Sequence, residues 1–86
     1  MFVMERQVAS TIAARRRFCD VFDGLDNEEW NASLDKFKVE TRKLREMWTQ
    51  RSWFDWTLNA HARTVLVECE RMIEYADASG YIRNKG

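Results

Sequence analysis

The sequence predicts an all-α protein, a three-helix bundle with short loops, on three observations. Proline is absent and the three glycines stand at 24, 80 and 86, so chain breakers are confined to one internal point and the C-terminal end. Apolar residues recur in steps of three and four, the period of a helix with one buried face. Asp26 and Glu29 form a helix-start signal between two such periodic stretches.

The first helix covers about residues 3–22. From Met4 its apolar positions run Val8, Ile12, Cys19 and Phe22, with Phe18 beside them, and together they line one face. Asp23-Gly24 ends it. Helix two, about 27–49, starts where Asp26 accepts a hydrogen bond from the Glu29 amide and Glu29 reaches back, while Leu25 packs on Trp30 as a hydrophobic staple. Its inward positions Trp30, Leu34, Phe37, Thr41, Leu44 and Trp48 keep heptad spacing, a narrow seam that calls for another helix against it. The seam lapses from Thr49 to Ser52, and Ser52-x-x-Asp55 offers a capping signal for a third helix over about 53–79. Phe54, Leu58, Val65, Cys69, Met72 and Ala76 form its stripe, flanked by His61, Ala62, Leu66 and Ile73. Gly80 offers the left-handed residue that closes a helix, and Tyr81 its hydrophobic companion.

The heptad phase of helix two also runs on through Arg51 and Asp55 to Leu58, Ala62, Val65, Cys69, Met72 and Ala76. Helices two and three continuous as a coiled coil are therefore the alternative. The break is preferred because continuity would bury Arg51 and Asp55 and leave Trp53 and Trp56 outside the seam. Helices of roughly 20 to 26 residues are about 30 to 40 Å long and enclose a thin core. An elongated helical homodimer is expected, because a second copy would bury more apolar surface per residue.

Eighty-six residues suffice for a single helical domain, 1–86, and for no second one. Hydrophobic residues make up 45% of the chain and aromatic ones 13%, which excludes disorder by composition. Lys+Arg and Asp+Glu number 14 each, so neither a basic protein that coats polyanions nor an acidic nucleic-acid mimic is the default reading. Glu5 and Arg6 interrupt the apolar Met1-Phe2-Val3-Met4 before a signal-peptide core forms, and no window approaches the ~18 apolar residues of a membrane span. A cytoplasmic protein is expected. Cys19 and Cys69 lie within helical patterns, not in a dense disulfide framework, and are read as buried thiols.

Three of the four tryptophans, Trp48, Trp53 and Trp56, fall within one short stretch with Arg51 and Phe54. Trp and Arg dominate interface hot spots, so these five residues are the candidate partner-binding site. Trp48 and Phe54 lie on the apolar stripes and also suit a plug for the end of the bundle, whereas Trp53 and Trp56 do not. Charge is neutral in total but blocky in order, with a net of +3 over residues 1–19, −6 over 20–35 and +4 over 36–51. Lys38, Arg42 and Arg45 share one face of helix two, and with Arg15 and Arg16 they make a basic set able to follow a phosphate backbone. Arg15 to Arg17 point around their helix, however, and the acids from Asp20 to Glu29 repel the same polyanion. A solvated face with intramolecular ion pairs is the preferred reading of these charges.

His61 has no Cys, Asp or Glu three or four residues away to orient it or share a metal, and is read as structural. The acids from Asp20 to Asp26 lack the alternation and closing Glu of a calcium loop. Dinucleotide, Walker, zinc and acyl-transfer motifs are absent, so no enzyme activity, cofactor or metal is expected. The first expectation is therefore a small non-enzymatic regulator or inhibitor that docks a helical face on another protein, comparable in size and kind to accessory proteins of phages and mobile elements. The alternative is a dimeric nucleic-acid-associated regulator using Arg15, Arg16, Lys38, Arg42 and Arg45. A third reading makes the aromatic cluster the chain's own dimer interface.

Overall fold

A computed structural model describes residues 3–50 and 56–85, with side chains from 4–50 and 60–84. It contains three helices: α1 (Val3–Val21), α2 (Asn27–Thr49) and α3 (Trp56–Lys85). The three-helix bundle read from the sequence is the fold. It is slender, 48 × 18 × 15 Å, as helices of these lengths require.

Residue pairs between helices give the topology. Gln7 meets Glu40 and Arg17 meets Glu29, so α1 and α2 are antiparallel. Asn31–Asn84, Lys38–Asp77 and Arg45–Glu70 step in opposite senses, so α2 and α3 are antiparallel as well. Arg15–Glu68, Cys19–Met72 and Phe22–Tyr75 step together, which sets α3 parallel to α1. One continuous helix would hold Asn31 and Asn84 about 80 Å apart. Their side-chain amides lie 3.0 Å from each other, so α2 and α3 form a hairpin.

The core is the one the periodicity marks out. Trp30, Phe37, Leu34 and Leu44 of α2 are buried against Val8, Ala14, Phe18 and Val21 of α1 and against Ala62, Val65, Leu66, Cys69 and Ala76 of α3. Each large apolar side chain so enclosed stabilises the fold by about 1.5–3 kcal/mol. The α1 face is rotated from its apolar reading: Gln7 and Thr11 are buried, whereas Cys19, expected inside, is exposed. Cys69 is buried as expected. Polar Gln7 and Thr11 win their places because Glu40 of α2 offers them hydrogen-bond partners there.

Both helix-end expectations at the top of the bundle need correction. Asp26 caps α2, its Oδ1 accepting from the Glu29 amide at 3.1 Å, but Glu29 turns its carboxylate to Arg17 at 3.2 Å instead of closing the box. Leu25 is 98% exposed and makes no staple. Trp30 has turned inward instead: its ring packs edge-on against Phe18 and tilted against Phe22, and its indole N–H donates to the Phe22 carbonyl at 3.0 Å. Nor does Gly80 end α3, which runs on as helix to Lys85, and no described residue has positive φ. A Cβ on Gly80 would stand 2.9 Å from Trp30 Cζ3 and 3.0 Å from Cη2, so the glycine is there for close approach, not for a left-handed turn. Tyr81 stays 69% exposed instead of folding back over a helix end.

Gly80→Ala tests this. In an unobstructed helix the change stabilises by about 1 kcal/mol through propensity. Here the new methyl meets a ring anchored by its own hydrogen bond, and overpacking predicts a net loss of about 1–3 kcal/mol in a urea titration.

Candidate functional site

Of the predicted partner-binding residues, Arg51, Trp53 and Phe54 lie outside the described residues. Trp56 is the first residue of α3, and its side chain is also outside them. Trp48 is half-buried and packs on the core at the end of α2. The basic set is dispersed. Arg15 pairs with Glu68 at 3.6 Å, Lys38 with Asp77 at 2.6 Å, and Arg45 donates Nε to Glu70 at 2.9 Å, so α3 carboxylates neutralise three of the five cations. Arg16 and Arg42 are exposed with no carboxylate at ion-pair distance among the described residues. The sequence places Lys38, Arg42 and Arg45 on one face of helix two; the fold sets acids of α3 beside Lys38 and Arg45.

Glu40 is the buried titratable group that the sequence reading missed. Only 5% exposed, it lies one turn beyond Phe37 on the flank of α2 that meets α1. Gln7 Nε2 donates to its carboxylate and to its carbonyl oxygen, both at 2.9 Å. The Thr11 hydroxyl, 2.7 Å from the Gln7 carbonyl and 3.1 Å from that of Glu40, donates to one or the other. Lys36 and Lys43 approach the carboxylate from solvent at 3.4 and 3.6 Å. The Gln7 hydrogen bond above all, then Lys36 and Lys43, holds the Glu40 carboxyl below the usual range against the upward push of burial. A carboxylate so held is a poor proton donor at neutral pH. Its role is to fix the register of α1 on α2. Mid-helix Gln7, Thr11 and Glu40 give no apolar periodicity, so the signal available in the sequence was only their heptad spacing.

His61 is exposed on α3, and among the described residues no three His, Cys, Asp or Glu side chains converge on a common point. Burial pushes the Cys69 thiol up, away from the reactive thiolate.

What the fold does assemble is an apolar strip along the seam of α1 and α3, the pair of helices that pack least closely. Cys19 Sγ lies 4.0 Å from Met72 Sδ, and the Phe22 and Tyr75 rings stack with centroids 6.2 Å apart. A groove of about 270 Å³ runs between them, floored by Phe18 and edged by Asp23. Two turns beyond Tyr75, Ile82 continues the same flank of α3; the two are 66% and 74% exposed. The sequence reading assigned Cys19, Phe22 and Met72 to the core and left Tyr75 and Ile82 out of the stripe. Their seven-residue spacing, on the flank of the Cys69–Ala76 face, was the legible sign.

The chain matches no protein-family model, no curated protein and no solved structure.

Two outcomes check this description. Glu40→Gln removes a carboxylate whose folded pKa is depressed, so its stabilisation is present above the unfolded pKa and lost as pH falls through the folded value. The variant should be less stable than wild type by about 1 kcal/mol at pH 7, with the gap closing below about pH 4. Alkylation followed by mass spectrometry should label Cys19 in the native protein and Cys69 only on unfolding.

Proposed function

We propose that the chain is a small, non-enzymatic, cytoplasmic regulatory or inhibitory protein that works by protein–protein association, laying a preformed helical face against another polypeptide. The apolar strip of the α1–α3 seam carries this reading. Met72, half-buried, and Cys19, Tyr75 and Ile82, exposed, stand on helices, and half-buried Phe22 follows directly on the end of α1, so little order has to be gained on docking. Arg16, Asp20, Asp23 and Arg71 are exposed around them, giving the apolar centre and charged rim of an interface. A helix laid in the groove would complete a four-helix arrangement around the loosest side of the bundle. By residue type, Trp48, Trp53 and Trp56 with Arg51 and Phe54 make a second candidate contact set.

The nucleic-acid reading draws less support. A phosphate reaching Arg15, Lys38 or Arg45 has to displace Glu68, Asp77 or Glu70 first, which forfeits the charge gained.

Affinity capture from cells that carry the protein tests the proposal, run with and without nuclease, using wild type, Tyr75→Glu and Trp53→Ala/Trp56→Ala. The expected result is one protein at stoichiometric yield that survives nuclease and is lost with one of the two variants, each costing about 2 kcal/mol or more if it removes a hot spot. Loss of all captured protein on nuclease treatment, with nucleic acid in the untreated eluate, overturns it.

A further inference from the structure

We infer that the occupant of the α1–α3 strip is a second copy of this chain, laid antiparallel about a two-fold axis that passes beside Cys19. The inference rests on the docking reading and names the partner.

Charge selects that partner. On the exposed side of α1, Arg16 precedes Cys19 by one turn and Asp20 follows it, with Asp23 in the turn just past the helix, all three with no ion-pair partner among the described residues. A two-fold rotation at Cys19 sets each position of α1 against the position equally far on the other side, so Arg16 of one copy comes between Asp20 and Asp23 of the other, twice over. A parallel pairing would instead stack Arg16 on Arg16 and acid on acid. The axis also passes beside Met72, which touches Cys19, so the apolar centre is doubled, with the stacked Phe22 and Tyr75 of each copy flanking it. The arrangement leaves the C-terminal end of α2 at the two tips of the dimer, so a regulated protein would meet the Trp48 end of each copy.

Sedimentation equilibrium on the full chain, with cross-linking by a short bismaleimide, tests this. Wild type should sediment as a dimer, and the cross-linker should join two chains through Cys19, a product lost in Cys19→Ser. Arg16→Glu faces the opposite acids with a third and should weaken the dimer about tenfold or more, while Arg16→Glu/Asp20→Arg/Asp23→Arg restores it. These side chains are exposed, so the fold is untouched, and recovery by the triple variant separates pairing from misfolding. A wild type that stays monomeric, or a dimer indifferent to Arg16→Glu and not joined at Cys19, overturns the inference. A monomer that still captures a protein dependent on Tyr75 overturns the second-copy occupant alone and leaves the docking reading standing; a monomer with no such capture ends both.

Discussion

Trp30 is the side chain on which the bundle closes. It stands in the first turn of α2, yet its ring reaches α1 through Phe18 and Phe22 and α3 through Gly80, with the Arg83 guanidinium 5.3 Å from its ring centre. Its one polar atom is satisfied by the Phe22 carbonyl, an acceptor released because α1 ends just before it. Arg83 then donates to the Gly24 carbonyl, so the cation that covers the ring also ties the last turns of α3 to the α1–α2 turn. All three helices touch this one indole. The absence of a Cβ at 80 follows from it.

A second fastening sets register where shape alone would not. Apolar side chains on two antiparallel helices tolerate a slide of one turn, but the Gln7 amide finds both the Glu40 carboxylate and the Glu40 carbonyl at one offset only. Breaking it leaves a buried charge with fewer donors, which costs more than forming it gains. On the other side of α2, the pairs Lys38–Asp77 and Arg45–Glu70 do a weaker version of the same work in solvent, where each contributes about 1 kcal/mol or less.

The two fastenings are unequal around the bundle, and function is sought where they are missing. The α1–α2 seam holds the buried network, and the α2–α3 seam holds ion pairs and the Asn31–Asn84 contact. Among the described residues, the α1–α3 seam has one long ion pair, Arg15–Glu68, and below it thiol, thioether and ring contacts at the surface. Among the described residues, that side of the protein is therefore apolar at its surface and lightly committed to intramolecular partners. An interface is the use that physical chemistry offers for such a face.

By itself the sequence determined the three helices, the approximate limits of α1 and α2, the inward face of α2, and the apolar stripe of α3 from Ala62 to Ala76. Those features depend on local period and on breakers, and both are written in consecutive residues. Tertiary structure alone decided the rest. Gly80 carries the mark of a helix end, and only the ring of Trp30, fifty residues earlier, shows that it is an approach site. Leu25 and Trp30 have the spacing of a staple, yet the ring finds a larger apolar neighbourhood on α1. Gln7 and Glu40 look like solvent-facing residues until the helices are brought together, and Lys38 and Arg45 look like a free basic stripe until Asp77 and Glu70 arrive beside them. In each case the deciding partner is distant in the chain, and a pattern read along one helix holds no information about what a second helix will set against it.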